Sequence, residues 1–137
     1  MEKVNKRIPV VAGTGSNCTE TAIYLSKEAE KYGVDGLLVV TPYYNKCNTD
    51  GLINHFTLIA DSVNIPVILY NVPTRTGVDI PVSVYRRLSA IPNIVGVKEA
   101  SNDIGKILRI RASCPESCTI WAGNDDLTVP AICLGAK

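Results

Sequence analysis

Ile94-Val95-Gly96-Val97-Lys98-Glu99-Ala100 is an apolar run of strand length that closes on a lysine and a glutamate. Similar runs begin near Ile8 (IPVVAGT), Gly36 (GLLVVTP), Ile65 (IPVILYN) and Thr119 (TIWAGN), and with Ile94 they recur at intervals of roughly 25 to 30 residues. Each is apolar on successive residues rather than alternate ones, the pattern of strands in a parallel sheet with both faces covered. Helical patterns fill the intervals. From Thr19 to Tyr32, Ala22, Leu25, Ala29 and Tyr32 make one stripe, and Gly33 ends it. A second stripe runs from Leu52 to Val63, with Thr49 or Asp50 available as its cap, and shorter helices are predicted at Pro81 to Leu88, Asp103 to Ala112 and Asp126 to Leu134. Five consecutive βα units imply an α/β chain with right-handed crossovers. Two architectures satisfy that order, a complete doubly wound sheet or part of an eight-stranded barrel, and pattern alone leaves both open.

The 137 residues are 46% hydrophobic and 20% charged, which suits one domain, residues 1–137, with a core. A formal charge of +1 supplies no field to gather nucleic acid or an anionic membrane surface. No apolar run approaches the ~20 residues of a membrane-spanning helix, and the charged start, Glu2-Lys3-Val4-Asn5-Lys6-Arg7, is no secretory signal. The expected location is the cytoplasm. Five cysteines with uneven spacing are expected as reduced thiols, Cys114 and Cys118 among them as small apolar side chains. His55, the single histidine, is expected at or near the surface of its helix.

In both architectures the ligand site lies at the carboxyl ends of the strands, so chemistry is sought there. Lys98 closes an apolar strand, and its amine must either act as a nucleophile or pair with Glu99 or Asp126. Tyr70 ends the preceding strand, where its phenol can relay a proton or satisfy a backbone carbonyl. Arg75 lies in a loop shaped by Pro73 and Gly77; it can clamp a carboxylate or stand solvated. Tyr43 and Tyr44 are adjacent and point apart in an extended segment, so one can face a site while the other meets a partner chain, unless both pack on the rim. Gly13-Thr14-Gly15 lacks the third glycine of a dinucleotide fingerprint, Cys18 standing in its place. Asp125-Asp126, ahead of a helix, is read as capping.

Thr41-Pro42-Tyr43-Tyr44-Asn45-Lys46, Tyr70-Asn71-Val72-Pro73-Thr74-Arg75-Thr76-Gly77 and Gly96-Val97-Lys98-Glu99-Ala100 together resemble the signatures of the 4-hydroxy-tetrahydrodipicolinate synthase (dihydrodipicolinate synthase) family. Ala12 to Asn17 and Gly123 to Asp126 also fit, so the resemblance covers essentially the whole chain. It implies a partial TIM (β/α)8 barrel, about strands 3 to 7 with their helices. It implies further that Lys98 forms a Schiff base with pyruvate, that Tyr70 passes protons, and that Arg75 binds the carboxylate of L-aspartate 4-semialdehyde. Tyr44 matches the tyrosine that reaches a neighbouring subunit's site, implying a homo-oligomer, dimer or tetramer, and Gly123 matches a backbone position lining the substrate pocket. The implied reaction is a condensation in lysine and diaminopimelate biosynthesis, with no organic cofactor and no catalytic metal.

Departures from the family pattern set further expectations. The Gly-Thr-Thr-Gly-Glu loop that binds the pyruvate carboxylate falls outside these residues, as does the eighth strand. Cys47 stands where the family usually has proline. Asn17 and Tyr43 match lysine-feedback positions, but Thr21 replaces the acidic partner, so lysine inhibition is not expected. The start reads like the end of the helix before strand three, so Met1 is not expected to begin a complete enzyme, and five strands with two open edges should be inactive alone. Two other readings are a related pyruvate aldolase of the N-acetylneuraminate lyase kind, which generally lacks the Val72-Pro73-Thr74-Arg75-Thr76-Gly77 form of the loop, and a non-catalytic half-barrel partner protein.

Overall fold

A computed structural model describes residues 1–137. Five parallel strands, β1 (Val11–Gly13), β2 (Gly36–Val40), β3 (Val67–Asn71), β4 (Ile94–Glu99) and β5 (Thr119–Ala122), lie side by side in chain order. A doubly wound sheet reverses its strand order at a switch point, whereas a barrel adds each strand next to the last. The unbroken order is therefore that of a barrel section, which resolves the alternative left open by the sequence.

The helices are α1 (Thr19–Lys31), α2 (Thr49–Asp61), α3 (Pro73–Thr76), α4 (Val82–Leu88), α5 (Ile104–Ser113) and α6 (Thr128–Cys133). The core lies between them and one face of the sheet. Leu37, Val39, Val67, Leu69, Val97 and Ile120 meet Phe56, Ile59, Tyr85, Leu88 and Ile110 there. The opposite face, which in a closed barrel is the interior, carries Val11, Leu38, Ile68, Lys98 and Trp121 around an open concavity. Apolar residues on both faces thus reflect a helix layer on one side and a barrel interior on the other. β1 and β5 each pair with one strand only. At the free edge of β5, Lys137 donates its backbone N–H to the Ile120 carbonyl at 2.8 Å. No helix is long and apolar enough to cross a membrane.

Several local expectations are corrected. Asn48 caps α2, its side chain accepting from the Gly51 N–H at 2.9 Å, so the cap precedes Thr49 and Asp50. Pro73–Thr76, expected as loop, is a single helical turn stopped by Gly77 at φ +70°. The stripe of α1 is narrower than its periodicity suggested: Ala22 and Ser26 are buried, while Tyr32 is 73% exposed. The last helix is broken, because Asp125–Leu127 form a 3-10 turn before α6 and neither aspartate makes a side-chain cap. His55 is buried, its Nδ1 2.9 Å from Thr19 Oγ1 across the α1–α2 contact, and burial lowers its pKa to about 4. All five cysteines are free thiols.

Candidate active site

Alternation along the strands divides the residues near their carboxyl ends into two rows. The ladder pairs Val40 with Tyr70, Tyr70 with Lys98, and Lys98 with Trp121, so these four form one row across the barrel interior. One residue further, Asn71 pairs with Glu99 on the opposite face, toward the helices. Adjacent residues of one strand end therefore serve different purposes. Lys98 and Tyr70 face the open concavity; Glu99 and Asn71 face the packed layer.

A β-bulge decides which of the two rows faces the interior. Val67 pairs with Ile94, but Ile68 pairs with Gly96, so Val95 is an extra residue in β4. Because of it, Ile94 and Val97 both reach the helix-side core. Strict alternation from Ile94 would instead send Lys98 into that core, where an unpaired amine is costly. Gly96 beneath the lysine also has a structural requirement: a Cβ there would lie 2.0 Å from the Thr119 carbonyl oxygen and 2.8 Å from the Trp121 ring.

The Lys98 amine stands over the Tyr70 ring, 4.7 Å from its centroid, at the distance of a cation–π contact. It makes no salt bridge, and the alternative pairing with Glu99 or Asp126 is absent from the structure. Glu99 is occupied elsewhere. Its carboxylate accepts from Asn71 Nδ2 at 2.9 and 3.1 Å, Tyr85 Oη at 2.8 Å and the Ser101 N–H at 2.9 Å. Burial, and then the adjacent Glu99 charge, push the Tyr85 phenol well above its ordinary range.

Tyr70 also faces a second part of the concavity, of about 440 Å³, together with Tyr43, Val72, Arg75, Gly13 and Gly15. That volume falls within the range of small-molecule sites. The turn of α3 presents Arg75 there, exposed and without an acidic partner. Gly15 permits the β1 loop to pass close to β2, since a Cβ on it would sit 2.5 Å from the Val40 nitrogen.

Tyr43 and Tyr44 part company as expected of neighbours. Tyr43 lines the concavity, whereas Tyr44, at φ +72°, is 90% exposed and outside it. Packing of both on the rim does not occur. Gly123 lies apart from the Lys98–Tyr70–Arg75 group, in a small crevice with Ser101, Asn102 and Asn124. Its N–H donates to the Glu99 carbonyl at 2.8 Å, and a Cβ would meet Ala100 Cβ at 2.6 Å. The glycine is thus explained by close packing of β5 on the end of β4. Sequence reasoning passed over Trp121 and the residues behind the strand ends, Asn71, Tyr85, Asp79 and Lys106. For Asn71 the available signal was its place directly after Tyr70, in the same position as Glu99 after Lys98.

Comparison with known proteins agrees with the barrel fold. A curated relative from Acetivibrio thermocellus, named 4-hydroxy-tetrahydrodipicolinate synthase, is 54% identical over 138 residues, covering all of this chain and 46% of its own length. The solved structure of the synthase from Methylacidiphilum fumariolicum matches with a TM-score of 0.97 and 48% identity, over 98% of this chain and 45% of that one. The Acinetobacter baumannii dihydrodipicolinate synthase, described as complexed with pyruvate, matches with a TM-score of 0.95 and 44% identity over 98% of this chain and 46% of its own. The chain spans about half the length of the relatives it matches. Since the Dihydrodipicolinate synthetase family model matches it from residue 1 to residue 137, the chain belongs to that family.

Proposed function

We propose that this segment supplies the Schiff-base half of a pyruvate-dependent lyase that condenses pyruvate with L-aspartate 4-semialdehyde to 4-hydroxy-tetrahydrodipicolinate, in lysine and diaminopimelate biosynthesis. The observation that carries the proposal is the amine of Lys98, free of any carboxylate and set against Tyr70 on the interior row of the barrel. A free amine can add to the ketone of pyruvate, and loss of water then leaves an iminium. The iminium withdraws electrons, so a proton of the pyruvate methyl can pass to a base, and the phenol of Tyr70 is the adjacent group able to carry it. The resulting enamine attacks the aldehyde carbon of the second substrate. That substrate's own amine then displaces Lys98 and closes the ring.

Arg75, unpaired at the edge of the same concavity, suits a second substrate that ends in a carboxylate. Tyr44, projecting from the surface, suits contact with a second subunit, which makes the working enzyme a homo-oligomer. Gly123 contributes backbone rather than side chain. Residues 1–137 act as one incomplete barrel domain, inactive alone because the interior is open at both sheet edges, and the enzyme works in the cytoplasm. The pyruvate named for the A. baumannii relative supports the first substrate. For the second, turnover should be compared in a complete barrel carrying this segment, using L-aspartate 4-semialdehyde and sugar-derived aldehydes. Preference for the semialdehyde is expected; preference for the sugars would move the protein to the aldolase class.

A further inference from the structure

Behind the strand end that carries Lys98 lies a polar cluster with no direct access to the barrel interior. Glu99, Asn71, Tyr85 and Lys106 are all at most 4% exposed. Asn71 Nδ2 donates to Glu99 and, at 2.8 Å, to Asp79 Oδ1, while Asn71 Oδ1 accepts from the Ile80 N–H at 3.1 Å. Lys106, from the first turn of α5, pairs with Asp79 and lies 3.8 Å from Glu99 Oε2. One carboxylate thus ties together the ends of β3 and β4, helix α4 through Tyr85, and helix α5 through Lys106. A buried carboxylate with this many donors fixes geometry strictly, because any movement leaves charged or polar groups unpaired.

The position of the cluster matters as much as its bonds. The β3–β4 ladder contains the bulge at Val95, and a bulged pair has an alternative register one residue away. In that slipped register, continued from Val67 opposite Ile94, Tyr70 would stand opposite Val97 and Asn71 opposite Lys98. Only the register beyond the bulge brings Asn71 opposite Glu99. The Asn71–Glu99 hydrogen bonds exist only when Tyr70 and Lys98 are also paired.

We infer that Glu99, held by Asn71 and Tyr85, is a positioning residue for the Schiff-base lysine: it locks the post-bulge register from the helix side and so keeps the Lys98 amine against the Tyr70 ring. The inference rests on the reading of Lys98 as the pyruvate-binding residue. None of the three groups lines the concavity that Lys98 and Tyr70 face, so all act on the lysine through the backbone of the two strands.

The test compares Glu99→Gln and Tyr85→Phe with Ile59→Val, a core change on α2 remote from the cluster, included for a general loss of stability. In the 137-residue chain, amide hydrogen exchange should accelerate at least tenfold in residues 67–72 and 94–101 of the two cluster variants, with the α1 and α2 peptides little changed. Ile59→Val should not reproduce that pattern. With the segment in place of its counterpart in the A. thermocellus relative, borohydride trapping of pyruvate on Lys98, at saturating pyruvate, should slow at least tenfold in both cluster variants and less than twofold in Ile59→Val. Unchanged exchange, acceleration spread evenly over the chain, or trapping no slower than in Ile59→Val would each overturn the inference. An unlabelled Lys98 in the parent protein would refute the Schiff-base reading, while the exchange pattern would still decide whether the cluster holds the register. Tyr85→Phe keeps the carboxylate and removes one donor, so it serves if Glu99→Gln fails to fold.

Discussion

Replacing Gly96 with alanine adds one methyl group at the most crowded point of the candidate site. Its Cβ would lie 2.0 Å from the Thr119 carbonyl oxygen, where ordinary contact starts at 3.4 Å, so the oxygen must retreat by about 1.4 Å. That oxygen belongs to the backbone of β5 opposite Gly96, and it cannot move without loosening the β4–β5 ladder and shifting the Trp121 ring, itself 2.8 Å away. Overpacking of this kind costs ~1–3 kcal/mol, and a backbone obstruction belongs at the upper end. At ~2–4 °C per kcal/mol for a chain slightly smaller than those from which the range comes, melting should fall by roughly 10 °C. Gly13→Ala is the matched control, because nothing lies within 4 Å of a Cβ there, and its melting point should stay within about 2 °C of the parent. Thermal unfolding followed by circular dichroism reads both. Were Gly96→Ala to melt as the parent does, the close approach of β4 and β5, and with it the placement of Lys98 beside Trp121, would be wrong.

Tyr70→Phe, in a complete barrel, should lower kcat by ~10²- to 10⁴-fold through loss of proton transfer while leaving Lys98 able to form its pyruvate adduct, as steady-state rates and mass spectrometry would show. His55 gives the chain an acid sensitivity of calculable sign. Unfolded, it takes up a proton near its ordinary 6.5, but folded only near 4, because burial penalises the charged ring. Between those values the unfolded state holds more protons, so stability falls as pH drops from 6.5 toward 4, by roughly 3 kcal/mol at most. Urea titrations across that window should show the slope, and His55→Leu should flatten it. Cys114 has a thiol pKa lowered to about 7 by the adjacent Cys118 thiol, with Ser89, Arg111 and Arg86 assisting against burial, whereas Cys118 is pushed upward. Iodoacetamide near neutral pH should therefore label Cys114 well before Cys118, with peptide mapping as the measure.

The strand–helix order was legible because each apolar run is bounded by turn residues and each is followed by a helix-length interval. Barrel and doubly wound sheet remained indistinguishable from pattern, since they differ in which strands are neighbours, and neighbourhood is a tertiary property. Lys98, Tyr70 and Arg75 could be picked out as polar residues at strand ends. What the sequence hid was direction. The bulge at Val95 reverses the faces of the following residues, so simple alternation from Ile94 sends Lys98 to the wrong side. The Asn48 cap was missed because Thr49 and Asp50 are equally good cap types, and the choice depends on where the chain turns. His55 was misplaced outward because a histidine on an otherwise apolar helix face gains burial only through α1, whose Thr19 hydroxyl meets it.

The central claim is that the nucleophile is the amine of Lys98, and one measurement addresses it directly. Pyruvate and borohydride are added to a complete barrel carrying this segment, and the reduced adduct is mapped by peptide mass spectrometry. The pyruvate-derived mass should fall on Lys98 and disappear in Lys98→Arg. Label on Lys106, on another lysine, or persisting in Lys98→Arg would contradict the account.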